Sequence, residues 1–394
     1  MPGQNGTCRF MKNYNLMRYK YILLFIFFVC GYNVSSQSKS SYSDYRFLEF
    51  RGHSGAHLYT GEELKDALES GYGAVEVKYG WQSSNPGGWQ SMYLYPSYGI
   101  GWYSGFIGNP ELLGKPGAFF GFIAFPLFYH HRHQIILEPA LGLSYDLKPY
   151  NEESNAQNDA IGSRFNAYFN INIGAQYSLN REIDLLYGID LTHFSNGRTY
   201  RPNSGLNMFG LNIGFRYHFN TRQRKADNSI FPETILDVRP VHKHFSPVEQ
   251  VEEGRVLFYT AGGLVQNIED KGTNKQYFAH TSMLEYQYQL NSKSAFTLGV
   301  DFFYDNSLVS NYTDKKHHFS GAHIGYDYIF WKLSIRMQAG TYLSEKGHDI
   351  KGSYFFRPAL KFDINRRFFV QLGLKSQAGL KADWVEMGAG MRLW

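Results

Sequence analysis

Cysteine and long hydrophobic runs are scarce in this 394-residue chain. Its two cysteines, Cys8 and Cys30, both lie in the first 36 residues. The rest of the chain therefore excludes a disulfide scaffold, a catalytic thiol and a cysteine-ligated metal site. The one long apolar run, Tyr21–Val29, follows basic residues and is too short to span a membrane. This pattern predicts an export signal over residues 1–36.

Excess charge of one sign is also nearly absent. The formal net charge is +5, and the predicted signal peptide holds four basic residues and no acidic residue, which leaves +1 for the remainder. Nucleic-acid binding proteins carry a strongly basic surface. No nucleic-acid partner is therefore expected.

Aromatic residues and glycine are abundant instead, with 31 Tyr, 32 Phe and 40 Gly. Much of the chain alternates apolar and polar residues, as residues 165–177 illustrate. Phe165 and Ile173 fall on one face of that segment, and Asn166 and Asn170 fall on the other. This alternation predicts an all-β fold, namely a transmembrane antiparallel β-barrel of the outer-membrane type.

Sixteen segments show the alternation, which predicts a barrel of about 16 strands. The segments 46–53 and 72–82 show it least clearly, so 14 strands is the alternative count. The candidate strands are 46–53, 72–82, 91–103, 117–128, 134–146, 165–177, 182–195, 205–219, 254–267, 276–290, 294–305, 317–330, 332–343, 353–364, 367–376 and 383–394.

Residues 220–253 interrupt the pattern with basic residues and prolines. They predict a periplasmic linker between a first half, residues 37–219, and a second half, residues 254–394. One large barrel and two eight-stranded barrels both fit this division. We favour one barrel, because eight further strands would otherwise need a second independent membrane domain.

The lengths of the connections predict the orientation. Outer-membrane barrels have short periplasmic turns and longer outer loops. With a periplasmic N-terminus, the short links near 130–133, 179–181 and 291–293 are periplasmic, and the longer links 147–164 and 196–204 are outside. The strand 182–195 then ends level with the outer leaflet.

A histidine and a serine lie at that end of the strand. Residues two apart in a strand point to the same face, so His193 and Ser195 share the apolar, lipid-facing side with Ile189 and Leu191. Packing against lipid does not explain a pair of polar side chains on this face. Serine becomes a nucleophile when a neighbouring base takes its proton, and imidazole is the usual base. The pair therefore predicts a serine esterase.

The next strand and the loop before it supply the other candidate residues. Asn207 lies on the lipid-facing side at the height of His193, and its side-chain oxygen can accept the imidazole N–H, whereas Asp190 faces the lumen. Loop residues could donate to an oxyanion or bind anionic headgroups. The oxyanion candidates are Asn196, Gly197 and Asn203, and the headgroup candidates are Arg198 and Arg201.

The segment His193-Phe194-Ser195-Asn196, followed by Pro202-Asn203 and Gly205, resembles the signature of the outer-membrane lipid A 3-O-deacylases, also called acyloxyacyl hydrolases. The resemblance covers roughly residues 45–219. It implies a lipid-facing active site that hydrolyses the ester-linked acyl chain at the 3-position of lipid A. It also implies Ser195 as the nucleophile, His193 as the base and Asn203 as an oxyanion contributor. Founding members of that family carry a glutamate where this chain has Asn207.

The same motif is similar to that of outer-membrane phospholipase A, whose third member is an asparagine at the spacing of Asn207. That resemblance implies calcium, a phospholipid substrate and an active homodimer, although Asn203 replaces the hydroxyl residue expected near the metal. A non-catalytic structural or pore-forming barrel is the third hypothesis. We rank lipid A (lipopolysaccharide) deacylation without a cofactor first. No metal site is predicted, because histidine clusters such as His130 and His131 lack suitably spaced carboxylates.

Overall fold

The computed structural model describes residues 44–58, 64, 68, 71–83, 88–180, 182–219, 247–309, 317–344, 351–377 and 381–393. The predicted signal peptide, residues 1–36, lies outside the described residues. So does the predicted linker from 220 to 246. No helix in the described ranges is long and apolar enough to cross a membrane.

The described residues form sixteen antiparallel strands, and each overlaps one of the predicted segments. The strands are β1 (Asp44–Leu58), β2 (Tyr72–Ser83), β3 (Ser97–Phe106), β4 (Gly114–His130), β5 (His133–Leu147), β6 (Asn166–Ser178), β7 (Ile183–Ser195), β8 (Leu206–His218), β9 (Gln250–Val265), β10 (Tyr277–Asn291), β11 (Ser294–Asp305), β12 (His318–Phe330), β13 (Leu333–Tyr342), β14 (Tyr354–Asp363), β15 (Phe368–Gln377) and β16 (Ala382–Arg392). The helices are short: the 3-10 turns Trp89–Tyr93, Ile268–Asp270 and Asn306–Val309, and the α-helical turn Pro110–Leu113. The all-β prediction and the count of 16 strands are confirmed.

The strands form two closed barrels of eight, β1–β8 and β9–β16. The first barrel closes where β8 pairs with β1, from Phe47↔His218 to Leu58↔Asn207. The second closes where β16 pairs with β9. The preference for a single large barrel was therefore wrong, and the alternative of two eight-stranded halves describes the fold. Both arrangements satisfy every backbone hydrogen bond in lipid, so the alternation along the strands could not distinguish them.

The two faces of each strand have opposite character. On β8 the outward side chains include Leu211 and Ile213, which are 66% and 63% exposed on the barrel wall. The inward side chains, such as Asn212 and Arg216, are buried. This is the arrangement expected when lipid surrounds a barrel whose interior is polar.

Buried ion pairs fill both lumens. In the first barrel, Arg216 donates to Glu49 through Nη2 and Nε at 2.8 and 2.9 Å. In the second, Arg336 Nε lies 2.8 Å from Asp327 Oδ1, and Arg357 Nε lies 2.9 Å from a carboxylate oxygen of Glu386. Each charge has a partner of opposite sign, as buried charges require. Packed side chains therefore occupy the barrel interiors at this level.

The two ends of the barrels differ in their connections. At one end, which we call the turn end, two-residue connections join β4 to β5, β10 to β11 and β12 to β13. At the opposite end, the loop end, β5 and β6 are joined by 18 residues and β7 and β8 by ten. The connection between β2 and β3 is an exception, because it lies at the turn end and spans 13 residues.

That exceptional connection joins the two barrels. Tyr93, in its 3-10 turn, donates to the carbonyl of Ile329 and packs edge-on against Tyr328 at a ring-centroid distance of 5.6 Å. Phe125 and Phe330 complete the same aromatic cluster, with centroids 5.5 Å apart. The turn ends of the two barrels therefore lie together. The loop ends also meet, where the Arg201 N–H donates to Gln266 Oε1, so the barrels stand side by side in the same orientation.

Candidate active site

Strands β7 and β8 bring His193 and Asn207 together. The two residues lie directly opposite each other in the strand register. Both side chains are on the outer surface of the barrel, and His193 Nδ1 lies 2.7 Å from Asn207 Oδ1. Because the amide oxygen only accepts, Nδ1 carries a proton, and in the neutral imidazole Nε2 then keeps its lone pair. The imidazole is thereby held in the tautomer that a general base needs.

Ser195 lies at the loop end of β7, on the same outer face as His193. Its hydroxyl is hydrogen-bonded to the loop residue Asn203, whose Nδ2 donates to Ser195 Oγ at 3.0 Å. The Gly197 N–H also donates to this oxygen, at 3.2 Å. No hydrogen bond joins the hydroxyl to His193 in the described part of the chain. The nucleophile candidate is therefore held by its loop, next to the base but not bonded to it.

The loop itself is organised around Asn196 and Asn203. The backbone N–H of Asn196 donates to Asn203 Oδ1 at 2.9 Å, and the Asn196 side chain donates to Ser163 Oγ at 2.9 Å. Gly197 has a φ of +62°, in the left-handed region that glycine adopts at little cost. Of the three predicted oxyanion residues, Gly197 and Asn203 therefore donate to Ser195 Oγ, whereas both N–H groups of Asn196 that are described bond to Asn203 and Ser163. Their catalytic role stays a prediction.

Gly205 is required at the other end of the loop. It has a φ of +78°, and a Cβ at this position would lie 2.7 Å from His193 Cε1. Any side chain there would collide with the imidazole. The glycine therefore leaves the space in which His193 stands beside Asn207.

The two predicted headgroup residues have different surroundings. Arg198 points away from the first barrel, and its guanidinium lies 3.4 Å from both Asp305 and Asp383 of the second barrel. Arg201 is half-buried, and none of the described carboxylates lies within 4.0 Å of it. Burial, together with the nearby Arg198 charge, lowers the pKa of Arg201, yet a guanidinium remains charged in proteins. Arg201 is thus the better placed of the two for an external anion.

A second His-x-Ser segment, which the sequence analysis missed, lies on β10. His280 and Ser282 face outward from the second barrel, with Ser282 Oγ 3.3 Å from His280 Nε2. Thr260 of β9 also contacts that nitrogen, at 2.9 Å. The pair lies within the paired strands rather than beside a loop, so neighbouring backbone N–H groups are used in the ladder. It lacks the loop that surrounds Ser195, and it offers a matched control for that serine.

The oxygen donors around Ser195 do not fit a calcium ion. Calcium is bound by several oxygens, usually with carboxylates among them, whereas within the described ranges the side chain hydrogen-bonded to Ser195 is that of Asn203. No cluster of three or more His, Cys, Asp or Glu side chains suited to a metal occurs in the ranges that the structure describes.

Further residues near the site come from the second barrel, and the sequence analysis missed all of them. Gln266 and Gln276 flank the β9–β10 loop, and Asp305 and Asp383 lie near the loop-end mouth of the second barrel. The alternation in the sequence shows which face such residues occupy. It does not show that they meet a loop more than 60 residues away along the chain.

Two closed barrels with apolar outer walls and charged, packed lumens define an outer-membrane β-barrel protein. Two family models match its sequence. The model for lipid A 3-O-deacylase (PagL) matches residues 73–216, and that for the C-terminal domain of acyloxyacyl hydrolase matches residues 254–394. The chain therefore belongs to the lipid A 3-O-deacylase family. This membership places it in the outer membrane and makes it a hydrolase of lipid A acyl esters.

The solved structures that match the chain have little sequence identity with it. Neisserial surface protein A is 11% identical with a TM-score of 0.29, and the match covers 45% of this chain and 99% of that protein. OccAB1 of Acinetobacter baumannii is 9% identical with a TM-score of 0.22, covering 89% and 97%. A mutant of the Rh. blastica porin is 10% identical with a TM-score of 0.19, covering 89% and 100%. TM-scores this low give no further information about the fold, which is defined by the strand pairing. No curated protein sequence matches the chain significantly.

Proposed function

We propose that this protein is a serine esterase that removes the ester-linked acyl chain from the 3-position of lipid A at the outer leaflet. The observation that carries the proposal is the bond between His193 Nδ1 and Asn207 Oδ1 on the lipid-facing wall, with Ser195 on the same face. The match of residues 73–216 to the deacylase family supports the same reaction. The longer connections at the loop end favour an outward orientation of that end.

In the proposed mechanism, Ser195 turns about its Cα–Cβ bond and exchanges its contact with Asn203 for His193 Nε2. The imidazole takes the hydroxyl proton while Oγ attacks the ester carbonyl, which gives a tetrahedral oxyanion. The N–H of Gly197 and the amide of Asn203 lie close enough to Ser195 Oγ to serve as donors to that oxyanion. Protonated His193 then passes its proton to the departing sugar oxygen, and water hydrolyses the acyl-enzyme by the reverse steps.

The substrate would reach the serine from the side, without a soluble pocket. Below the site, the outer wall carries the exposed apolar side chains of Phe209, Leu211 and Ile189. An acyl chain lying along this wall would place its ester near the end of β7. Arg201 is the residue proposed to contact the anionic headgroup, because a guanidinium binds phosphate oxygens well.

The test is mass spectrometry of lipid A and phospholipids after incubation with the purified protein. We expect loss of one 3-hydroxyacyl chain from lipid A, abolished in Ser195→Ala and His193→Ala and unchanged in the matched control Ser282→Ala. Turnover by Ser195→Ala at the normal rate would overturn the mechanism. Activity lost in Ser282→Ala but kept in Ser195→Ala would move the site to the second barrel.

Two other hypotheses have distinct outcomes in the same assay. Lysophospholipid formation that stops on addition of EDTA would identify the calcium-dependent phospholipase, whereas deacylation of lipid A is expected to continue in EDTA. A structural or pore-forming barrel would give no product that depends on Ser195. The buried ion pairs across both lumens, such as Arg216 with Glu49, disfavour an open pore.

A further inference from the structure

The loop that carries the active-site residues of the first barrel is attached to the second barrel. Three hydrogen bonds join its backbone and Arg201 to Gln266, which immediately follows β9. The Arg201 N–H donates to Gln266 Oε1 at 2.6 Å, Arg201 Nε donates to the Gln266 carbonyl at 3.1 Å, and the Gln266 N–H donates to the Arg198 carbonyl at 3.0 Å. Gln276, at the other end of the same connection, donates to the Thr199 carbonyl at 3.0 Å. The second barrel therefore bonds to three residues of this loop, Arg198, Thr199 and Arg201.

Arg198 provides the charged part of the attachment. Its two terminal nitrogens lie 3.4 Å from Asp305 Oδ2 and Asp383 Oδ1, and both carboxylates are buried at the loop-end mouth of the second barrel. Lys351 lies 2.6 Å from the same oxygen of Asp305 and 2.8 Å from Asp383. These distances place Arg198 within a cluster of buried charges instead of leaving it for an external ligand.

The backbone of Arg198 has a conformation that residues other than glycine seldom adopt. Its φ is +71°, in the left-handed region, directly after Gly197 at +62°. Residues other than glycine adopt this region where the surrounding contacts hold them in it. Here those contacts come from Gln266, Asp305 and Asp383.

Packing adds a further constraint beside the nucleophile. A Cβ on Gly197 would lie 2.3 Å from Val385 Cγ2 and 3.4 Å from Leu374 Cδ1. Both residues belong to strands of the second barrel. The backbone N–H of Gly197 is the group that donates to Ser195 Oγ. The wall of the second barrel therefore packs against the Gly197 peptide, whose N–H is bonded to Ser195 Oγ.

We propose that the second barrel acts as a clamp that positions the catalytic loop, with Arg198 and Gln276 as positioning residues. The inference deepens the proposed function and rests on it. Substrate would contact neither residue. Both would act by keeping Gly197 and Asn203 at hydrogen-bonding distance from Ser195. The role of residues 254–394 would then be to complete the active site of the first barrel.

The experiment uses the full chain in detergent micelles and a small neutral fluorophosphonate, which reacts with an activated serine and has no headgroup. We expect Arg198→Ala to slow labelling of Ser195 about tenfold or more, the effect of losing a hydrogen bond to a charged group. Arg198→Lys should recover much of that rate. In lipid A turnover, kcat should fall in Arg198→Ala while KM changes little.

Arg198→Ala is expected to fold, because Lys351 and Lys375 still neutralise Asp305 and Asp383. Gln276→Ala gives an independent test, since it removes one bond to the loop and no charge. Its labelling should slow in the same direction by a smaller factor. Arg255→Ala is the matched control: it removes an arginine whose partner, Glu253, lies on its own strand far from the loop. It should label at the normal rate.

The outcomes are distinct. Normal labelling of both Arg198→Ala and Gln276→Ala would overturn the clamp. An increase in KM for phosphorylated lipid A alone, with labelling unchanged, would show that Arg198 binds the headgroup and would also overturn it. Failure of the proposed function gives a different result, because the probe would then not label Ser195 in the unmodified protein.

Discussion

The bond between His193 and Asn207 makes a quantitative prediction. Its length is 2.7 Å, and the proposed mechanism starts from the neutral imidazole. Once His193 takes the serine proton, the bond becomes charge-assisted, and loss of such a bond is worth about 1.5–3 kcal/mol. The variant also loses the neutral bond of the ground state, so the barrier rises by the difference between the two bonds, about 1–2 kcal/mol. We therefore expect Asn207→Leu, which removes the acceptor at similar volume, to lower kcat about 5-fold to 30-fold.

Asn207→Glu tests the same reasoning from the opposite side. A carboxylate can accept the same bond and also attracts the protonated imidazole, so this variant should stay within about tenfold of the unmodified protein. The assay is release of 3-hydroxyacyl chains from lipid A in micelles, with Ser195→Ala as the inactive reference. Asn207→Leu at full rate would refute the role of the bond. A Glu variant slower than the Leu variant would also refute it, because a side chain that accepts the imidazole N–H would then not increase kcat.

Three further predictions concern neighbouring residues and the scaffold. Gly205→Ala should abolish most activity without unfolding the barrel, since its Cβ would lie 2.7 Å from His193 Cε1; a fully active variant would show that the imidazole tolerates displacement. Arg201→Ala should increase KM for phosphorylated lipid A and slow fluorophosphonate labelling only slightly, because it also removes the bond from Arg201 Nε to the Gln266 carbonyl; an unchanged KM would remove Arg201 from headgroup binding. Arg336→Met should lower the free energy of unfolding in urea by about 3–5 kcal/mol, because it leaves the buried Asp327 without that partner, 2.8 Å away. A loss under about 1 kcal/mol would mean that water or another cation compensates.

The sequence alone determined the strands and their faces. Alternation has a period of two residues and depends only on neighbours in the chain. It therefore separated outward Leu211 from inward Asn212 correctly. The same local rule placed His193 and Ser195 on one face. Because β7 and β8 are consecutive antiparallel strands, their pairing places Asn207 opposite His193.

That rule cannot predict which distant strands pair with each other. Strand β8 could close on β1 or continue to β9, and either choice satisfies the same backbone groups. Only the tertiary structure shows that β8 pairs with β1 and that the second half forms its own barrel. The sequence therefore determined which residues face lipid, and the folded chain determined how many strands each barrel holds.

The surroundings of Arg198 depended on the fold in the same way. In the sequence it is a loop arginine at a membrane surface, which predicts a headgroup contact. In the structure its partners are Asp305 and Asp383, more than 100 residues away in the chain. Their contact exists because two barrels in the same orientation bring a loop of one to the mouth of the other. Local alternation carries no information about such a contact, since it is set by how two closed surfaces pack.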